Sequence, residues 1–361
     1  MYNPYVTMKN INIGVFGNLG AGKTSIVQKL QQREGMSSDI AFYSYKVRDS
    51  NVTLIDVPGD PSKIQPMLEV ASICDAALLA ISAEDGVNYQ TGEIIIALTL
   101  AGIKYGAILV TKTDMVSQDD VENLKNKIRA MFKTTPLGSF PVYEVSTVTN
   151  ANIPELANAL PNLQIGEREQ GTFKMPLDHF IEPKSGFTVV TGVVKRGSVK
   201  THDKVNIMPW GKEMVVQSIQ IHNEDVEVAN AGDRIAIGFK GIHYHDVRRG
   251  DVICDSSADM HKSREFTVDF DVNQFYREPI AKEQRLHLSV GMQFHPVLVR
   301  SITKDGNNAD AAKGGDKCTL GLESERTSFA IEAGERCILC RPEMPWGTLR
   351  ICGAGSIKEI K

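Results

Sequence analysis

The segment Gly17-Asn18-Leu19-Gly20-Ala21-Gly22-Lys23-Thr24 constrains this chain more than any other. It is a complete G-x-x-x-x-G-K-[ST] phosphate loop between a short apolar run, residues 11–16, and an amphipathic stretch, residues 22–32. Strand, then loop, then helix is the setting that separates a phosphate cradle from a chance glycine turn. Glycines let successive backbone N–H groups curl around phosphate oxygens, and the opening helix adds the positive end of its dipole. Lys23 is placed to reach the β- and γ-phosphates and Thr24 to reach a Mg2+ ion, with Asn18, Leu19, Gly20, Ala21, Gly22 and Ser25 completing the cradle. A chain built around this loop has to form a mostly parallel α/β sheet beside it.

Three further motifs follow in order, each after an apolar run. In Asp56-Val-Pro-Gly59 the carboxylate can hold Mg2+ through water, and the Gly59 amide can meet a γ-phosphate. In Thr111-Lys112-Thr113-Asp114 the Asp carboxylate suits the N1–H and exocyclic amine of guanine, and the Lys stem can cover the base. Asn is commoner than Thr at the first position. Ser146-Thr147 fits a last guanine loop, whose amide meets O6. Together they predict binding of GTP and GDP with Mg2+, rather than ATP.

Residues 40–47 and 52–57 read as adjacent strands around a turn at 48–51, and 76–81, 106–110 and 142–145 as further strands. Helical patterns fall at 62–72, 91–101, 118–132 and 153–159. Strands alternating with helices predict a doubly covered, mostly parallel sheet. The pattern changes after Pro161. Residues 162–170 read as a polar linker, and Val/Ile/Thr-rich runs then recur at 188–195, 204–208, 214–221 and 234–239, with a second set from 266 to 361. The predicted fold is an α/β P-loop GTPase domain, 1–165, followed by two all-β barrel domains, 171–257 and 264–361.

Composition excludes several classes. Of 361 residues 42% are apolar and 23% charged, which rules out disordered, collagenous and disulfide-scaffold proteins. The longest apolar run, residues 94–103, is roughly half of what a bilayer span requires, and no basic-then-apolar leader opens the chain. A cytoplasmic protein without membrane contact is expected. Net charge is −4: residues 1–170 carry 14 Lys+Arg and 18 Asp+Glu, and the remainder 26 of each, so no basic stripe for DNA or RNA stands out. All eight histidines lie after residue 170. Cys337 and Cys340 sit in an alternating strand-like run with no second ligand pair, and read as core or edge thiols.

With these motifs in place the chain resembles translational GTPases of the elongation factor Tu class over essentially its whole length. Met175-Pro-Leu-Asp-His-Phe180, Gly192-Val-Val-Lys-Arg-Gly197 and Ala231-Gly-Asp-Arg-Ile235 resemble the opening, second strand and late turn of that family's second domain. Arg350-Ile-Cys-Gly-Ala-Gly355 resembles the closing strand of its third. Within the class it is most similar to SelB, the selenocysteine-specific factor, whose Asp-His pair and Arg after Gly-Asp form a side-chain pocket. Asp178, His179 and Arg234 stand at those positions. A selenol is largely anionic at neutral pH, so a guanidinium and an imidazole complement it. The resemblance implies that Arg234 discriminates, its guanidinium left unpaired by a neutral side chain. The alternative is three ordinary surface residues with Arg234 in a common ion pair.

The departures matter as much. SelB carries a fourth domain, for which no counterpart is expected here, and the chain resembles the short SelB-like factors of methanogenic archaea. Ser37 falls where the family has a Mg2+-binding Thr, and reads equally as a turn residue. Gly20 replaces an Asp that ligates a monovalent cation. Asp60 occupies the catalytic position, where the family has a His that positions water. A carboxylate about 4 Å from a γ-phosphate would be repelled by ~4 kcal/mol at an effective dielectric of 20. Slow GTP hydrolysis is expected, with Asp60 turned away. The resemblance implies aminoacyl-tRNA and the ribosome as partners, an exchange factor as a further candidate, and a monomer. A non-catalytic GTP/GDP-binding regulator, or a carrier of another special tRNA such as pyrrolysyl-tRNA, stays open.

Overall fold

The computed structural model describes residues 9–31, 39–47, 49–181, 187–243 and 245–361. The chain divides into two compact units, Met1–Glu167 and Arg168–Lys361. The first follows the predicted alternation: β1 (Lys9–Gly17), α1 (Lys23–Gln31), β2 (Ala41–Val47), β3 (Ser50–Asp56), α2 (Ile64–Ile73), β4 (Ala76–Ser82), α3 (Tyr89–Ala101), β5 (Gly106–Thr111), α4 (Gln118–Phe132), β6 (Val142–Glu144) and α5 (Ile153–Ala159). The sheet order is β2-β3-β1-β4-β5-β6, parallel except for edge strand β2, which forms an antiparallel hairpin with β3. β4 and β5 are buried at every position, as strands covered on both faces must be.

Helix boundaries follow local chemistry. Ser117 caps α4, its Oγ accepting from the Asp120 amide at 3.2 Å, and Asp119 and Asp120 complement the dipole. Val121, Leu124, Ile128 and Phe132 then form its buried stripe. α3 begins at a capping box between Asn88 and Thr91 and ends at Gly102, whose φ of 84° suits a residue without a Cβ. Among the described residues no helix is long and apolar enough to cross a membrane.

The second unit is β-rich. Its first sheet opens with β7 (Lys174–Ile181) and β8 (Phe187–Val193) and has eight strands wrapped on one core. The run 214–221, expected as one strand, is two: Lys212–Val215 pairs with Lys204–Met208, and Ser218–Ile221 with Arg234–Lys240. The chain changes partner between them, with the Val216 amide donating to Asp203 and that of Gln217 to Gly238. The second sheet closes. Strand Arg285–Val290 pairs with both Arg336–Cys340 and Gln293–Lys304, completing a ring around a separate core. The polar stretch 255–263, between the two expected barrel domains, contains a short strand, His261–Ser263, that pairs with Phe329–Ile331.

A partly buried charge network joins the two sheets of this unit. Lys174 Nζ donates to Glu332 Oε1 at 2.9 Å and Glu335 Oε1 at 2.7 Å. Arg196 grips both Glu332 oxygens at 2.8 and 2.6 Å. Burial pushes the Glu335 carboxyl up. Burial also opposes ionisation of Glu332, but Arg196 and Lys174 hold it below its usual range. Cys337 and Cys340 are both buried, with burial pushing the Cys337 thiol up to about 12. No cluster of three or more His, Cys, Asp or Glu suited to a metal occurs among the described residues.

Candidate functional site

Because β1, β3, β5 and β6 run parallel, their C-terminal ends share one edge of the sheet. That edge is where open α/β sheets bind ligands, and it gathers the four motifs from distant parts of the sequence. The phosphate loop joins β1 to α1. Gly20 and Gly22 hold φ of 77° and 80°, left-handed values that favour glycine. Leu19 and Ser25 are exposed and Ala21 is buried. Lys23 turns back on the loop, its Nζ donating to the Gly17 carbonyl at 2.9 Å and the Asn18 carbonyl at 2.8 Å. Burial lowers its pKa to about 8, with Asp56 acting against that.

Thr24 Oγ1 donates to Asp56 Oδ2 at 2.7 Å. Asp56 Oδ1 is buried and has no hydrogen-bond partner among the described residues. Burial raises the Asp56 pKa, opposed by Thr24 and Lys23. A desolvated ammonium and a half-satisfied carboxylate are costly as they stand, and phosphate and a divalent cation are the groups that relieve them. The donor set of Thr24 and Asp56 therefore fits Mg2+. Ser37, the third expected ligand, lies outside the described residues.

Thr111, in place of the commoner Asn, tethers the phosphate loop: its Oγ1 donates to the Ala21 carbonyl at 2.9 Å. Lys112 has a left-handed φ of 56°, and its Nζ pairs with Glu84 at 3.3 Å. Asp114 is exposed on a short turn, Thr113–Met115. Ser146 is buried, and its Oγ accepts from the amides of Val148 at 3.2 Å and Thr149 at 3.1 Å, closing the last loop; Thr147 is half-buried. Gly59 is buried beside Lys23. The Asp60 carboxylate is engaged in its own turn, with Oδ1 accepting from the Ser62 amide at 2.9 Å and hydroxyl at 2.7 Å. The hydrogen bonds from Ser62 hold its pKa below the usual range. Sequence reasoning missed the start of α3, where Thr91 accepts from Asn18 Nδ2 at 3.2 Å and Gln90 donates to the Gly59 carbonyl at 2.9 Å. The Asn88-x-x-Thr91 capping pattern was the one legible signal there.

The second cluster lies in the β unit. β7 pairs Leu177 with Gly192 and then His179 with Thr191, so Asp178 is the extra residue of a bulge. A bulge re-aims its side chain, and this one turns Asp178 fully inward. Arg234 Nη2 donates to Asp178 Oδ1 at 3.0 Å and Nε to Oδ2 at 3.2 Å. The Thr191 hydroxyl donates to Asp178 Oδ1, and His179 Nδ1 is 3.1 Å from the same oxygen. Burial works against ionisation of Asp178, but Arg234, His179 and Thr191 together hold its pKa below the usual carboxylate value. The three expected residues are thus brought together, with one correction: Arg234 does not wait for a ligand to pair it, because Asp178 already grips its fork. Sequence reasoning also missed Arg249, whose Nε donates to the Asp178 carbonyl at 3.1 Å and whose Nη2 lies 3.5 Å from His179 Nε2.

Residues 27–164 match the family profile "Elongation factor Tu GTP binding domain", 187–254 "Elongation factor Tu domain 2", and 263–361 "Archaeal selenocysteine-specific elongation factor, domain III". The chain belongs to the SelB-like translation elongation factors. This SelB-like chain is 28% identical to the selenocysteine-specific elongation factor of Methanocaldococcus jannaschii, over 98% of its own length and 80% of that protein's. It is also 28% identical to an uncharacterized protein of the same organism, over 97% and 100% of the two chains. The crystal structure of Methanococcus maripaludis SelB with the GTP analogue GppNHp superposes with a TM-score of 0.87 at 28% identity, covering 98% of this chain and 80% of that one. The expected fold, an α/β P-loop GTPase domain followed by β-barrel domains, is the fold of this SelB-like factor.

Proposed function

We propose that this chain is a GTP-dependent elongation factor that carries an aminoacyl-tRNA to the ribosome and hydrolyses GTP slowly. The observation that carries the reading is the bulge that buries Asp178, with His179 at its side, against Arg234, which lies in the segment 187–254 matched to elongation factor Tu domain 2. A polar pocket of this kind favours a side chain able to hydrogen-bond or carry negative charge over a plain apolar one. With Arg234 committed to Asp178, His179 and Arg249 are the groups proposed to meet that side chain. In the first unit, Lys23 and the phosphate-loop amides bind the phosphates, Asp114 and Lys112 hold guanine, and the Ser146-Thr147 loop meets its O6. Thr24 and Asp56 hold Mg2+, which when bound neutralises phosphate charge.

The test is protection of the aminoacyl ester from hydrolysis, compared for selenocysteinyl- and seryl-tRNA with GTP and with GDP. GTP-dependent protection of the first over the second supports the reading; equal protection of both removes the pocket as a discriminator and favours another special tRNA.

One observation favours the second reading, a non-catalytic GTP/GDP-binding regulator. The Asp60 carboxylate is engaged by Ser62, and residues 1–170 contain no histidine. Single-turnover GTP cleavage with and without ribosomes separates the two. Acceleration by ribosomes, enhanced in Asp60→His, supports the carrier; no acceleration in either form supports the regulator.

A further inference from the structure

We propose that Gln90 is a positioning residue for the γ-phosphate end of the nucleotide site, fixing the peptide between Gly59 and Asp60 from the first turn of α3. The proposal rests on the GTP reading and extends it to residues that no motif contains.

Gly59 lies directly against the phosphate loop: a Cβ built on it would fall on Lys23 Nζ and the backbone of Asn18. Glycine at this place allows the close approach, but it also leaves the following peptide free to rotate. The restraint comes from outside the loop. Gln90 Nε2 donates to the Gly59 carbonyl at 2.9 Å, across 31 residues of sequence. Gln90 is half-buried, and the turn that carries it is fixed by the capping box. Asn88 Oδ1 accepts from the Thr91 amide at 3.2 Å, and Thr91 Oγ1 accepts from the Asn88 amide at 3.3 Å. The same Thr91 hydroxyl accepts from Asn18 Nδ2 at 3.2 Å. The start of α3 therefore holds the phosphate loop through Asn18 and the Gly59 loop through Gln90.

A trans peptide sets its carbonyl and its N–H in opposite directions. With the Gly59 carbonyl held toward α3, the Asp60 amide points away from it, and the Asp60 side chain is restrained in turn by Ser62. On the GTP reading the Gly59 amide faces the γ-phosphate, whereas Lys23 and the phosphate loop also serve the β-phosphate. Loss of the Gln90 anchor should therefore act on the triphosphate and spare the diphosphate.

The experiment measures Kd for GppNHp and for GDP by calorimetry, in the full chain, for the wild type, Gln90→Met and Gln90→Lys. Met keeps length without a donor, and Lys returns a donor. One neutral hydrogen bond corresponds to about 3- to 10-fold in affinity. The expected result is that loss for GppNHp in Gln90→Met, a change of less than about 2-fold for GDP, and recovery in Gln90→Lys. Equal losses for both nucleotides, no loss for either, or failure of Gln90→Lys to recover would overturn the proposal. A wild type that binds neither nucleotide would instead overturn the GTP reading on which it rests.

Discussion

The candidate nucleotide site and the Asp178 cluster each hold a buried carboxylate beside a cation, yet they are electrostatically opposite. In the first, Lys23 is desolvated onto backbone carbonyls, and one Asp56 oxygen has no hydrogen-bond partner among the described residues. In the second, Asp178 is satisfied by Arg234, Thr191 and His179. Among the described residues the first site leaves its buried charges only partly compensated, whereas the second compensates its own buried carboxylate. Loss of a charged residue should therefore cost binding in the first region and folding in the second.

The largest expected effect tests the self-satisfied cluster. Asp178→Ala leaves the Arg234 fork without its carboxylate, and breaking a buried pair of this kind costs about 3–5 kcal/mol. Denaturant unfolding should show the second unit weakened while GDP affinity holds. A variant as stable as the wild type would show that the cluster is not a unit. The counterpart is Lys23→Ala, which should lower GTP and GDP affinity by more than about 100-fold, or ~3 kcal/mol for charge-assisted bonds, with little change in unfolding. If it unfolds the chain instead, the proposed contrast between the regions collapses.

Asp114→Asn sharpens the ligand side of the comparison. Exchanging a carboxylate for an amide should shift preference from guanine toward xanthine nucleotides by about 10- to 100-fold, since each charge-assisted hydrogen bond is worth roughly 1.5–3 kcal/mol. Competition calorimetry with XDP, and with ATP as the excluded base, reads it directly. Equal wild-type affinity for ATP would remove the guanine assignment.

The smallest effect is in pH. In the proposed site the Lys23 ammonium would meet phosphate in its protonated form, and burial lowers its pKa to about 8. GDP affinity should be level below that value and fall as pH rises through it, by at most about 10-fold per unit. Folding responds with the opposite sign: between about 8 and the ordinary lysine value of 10.5 the unfolded chain binds more protons, so this lysine's contribution to stability rises with pH. Asp178 behaves differently. Its pKa is depressed, so its stabilisation is fully present above the ordinary value of 3.8 and is lost as pH falls below it. Raising the pH from 8 to 9 should thus weaken nucleotide binding without loosening the pocket. Titrations of both quantities on one preparation test this.

The sequence by itself determined what its neighbours along the chain could settle. The phosphate loop, the order of the motifs, the limits of α4 and α5 and the switch to β structure after Pro161 all rest on local backbone chemistry: a cap, a glycine at positive φ, a period of 3.6 or 2. Even the meeting of the four nucleotide loops was legible, because parallel strands have no choice about which edge their C-terminal ends share. Only the tertiary structure decided the rest. The bulge at Asp178 adds a residue to one strand without altering its composition, and the division of residues 214–221 depends on which partner each half finds. Arg249 reaches Asp178 across 71 residues and Gln90 reaches Gly59 across 31. Such pairings are fixed by strand register and by the packing of one element on another, and these are set by the whole core rather than by any segment of it.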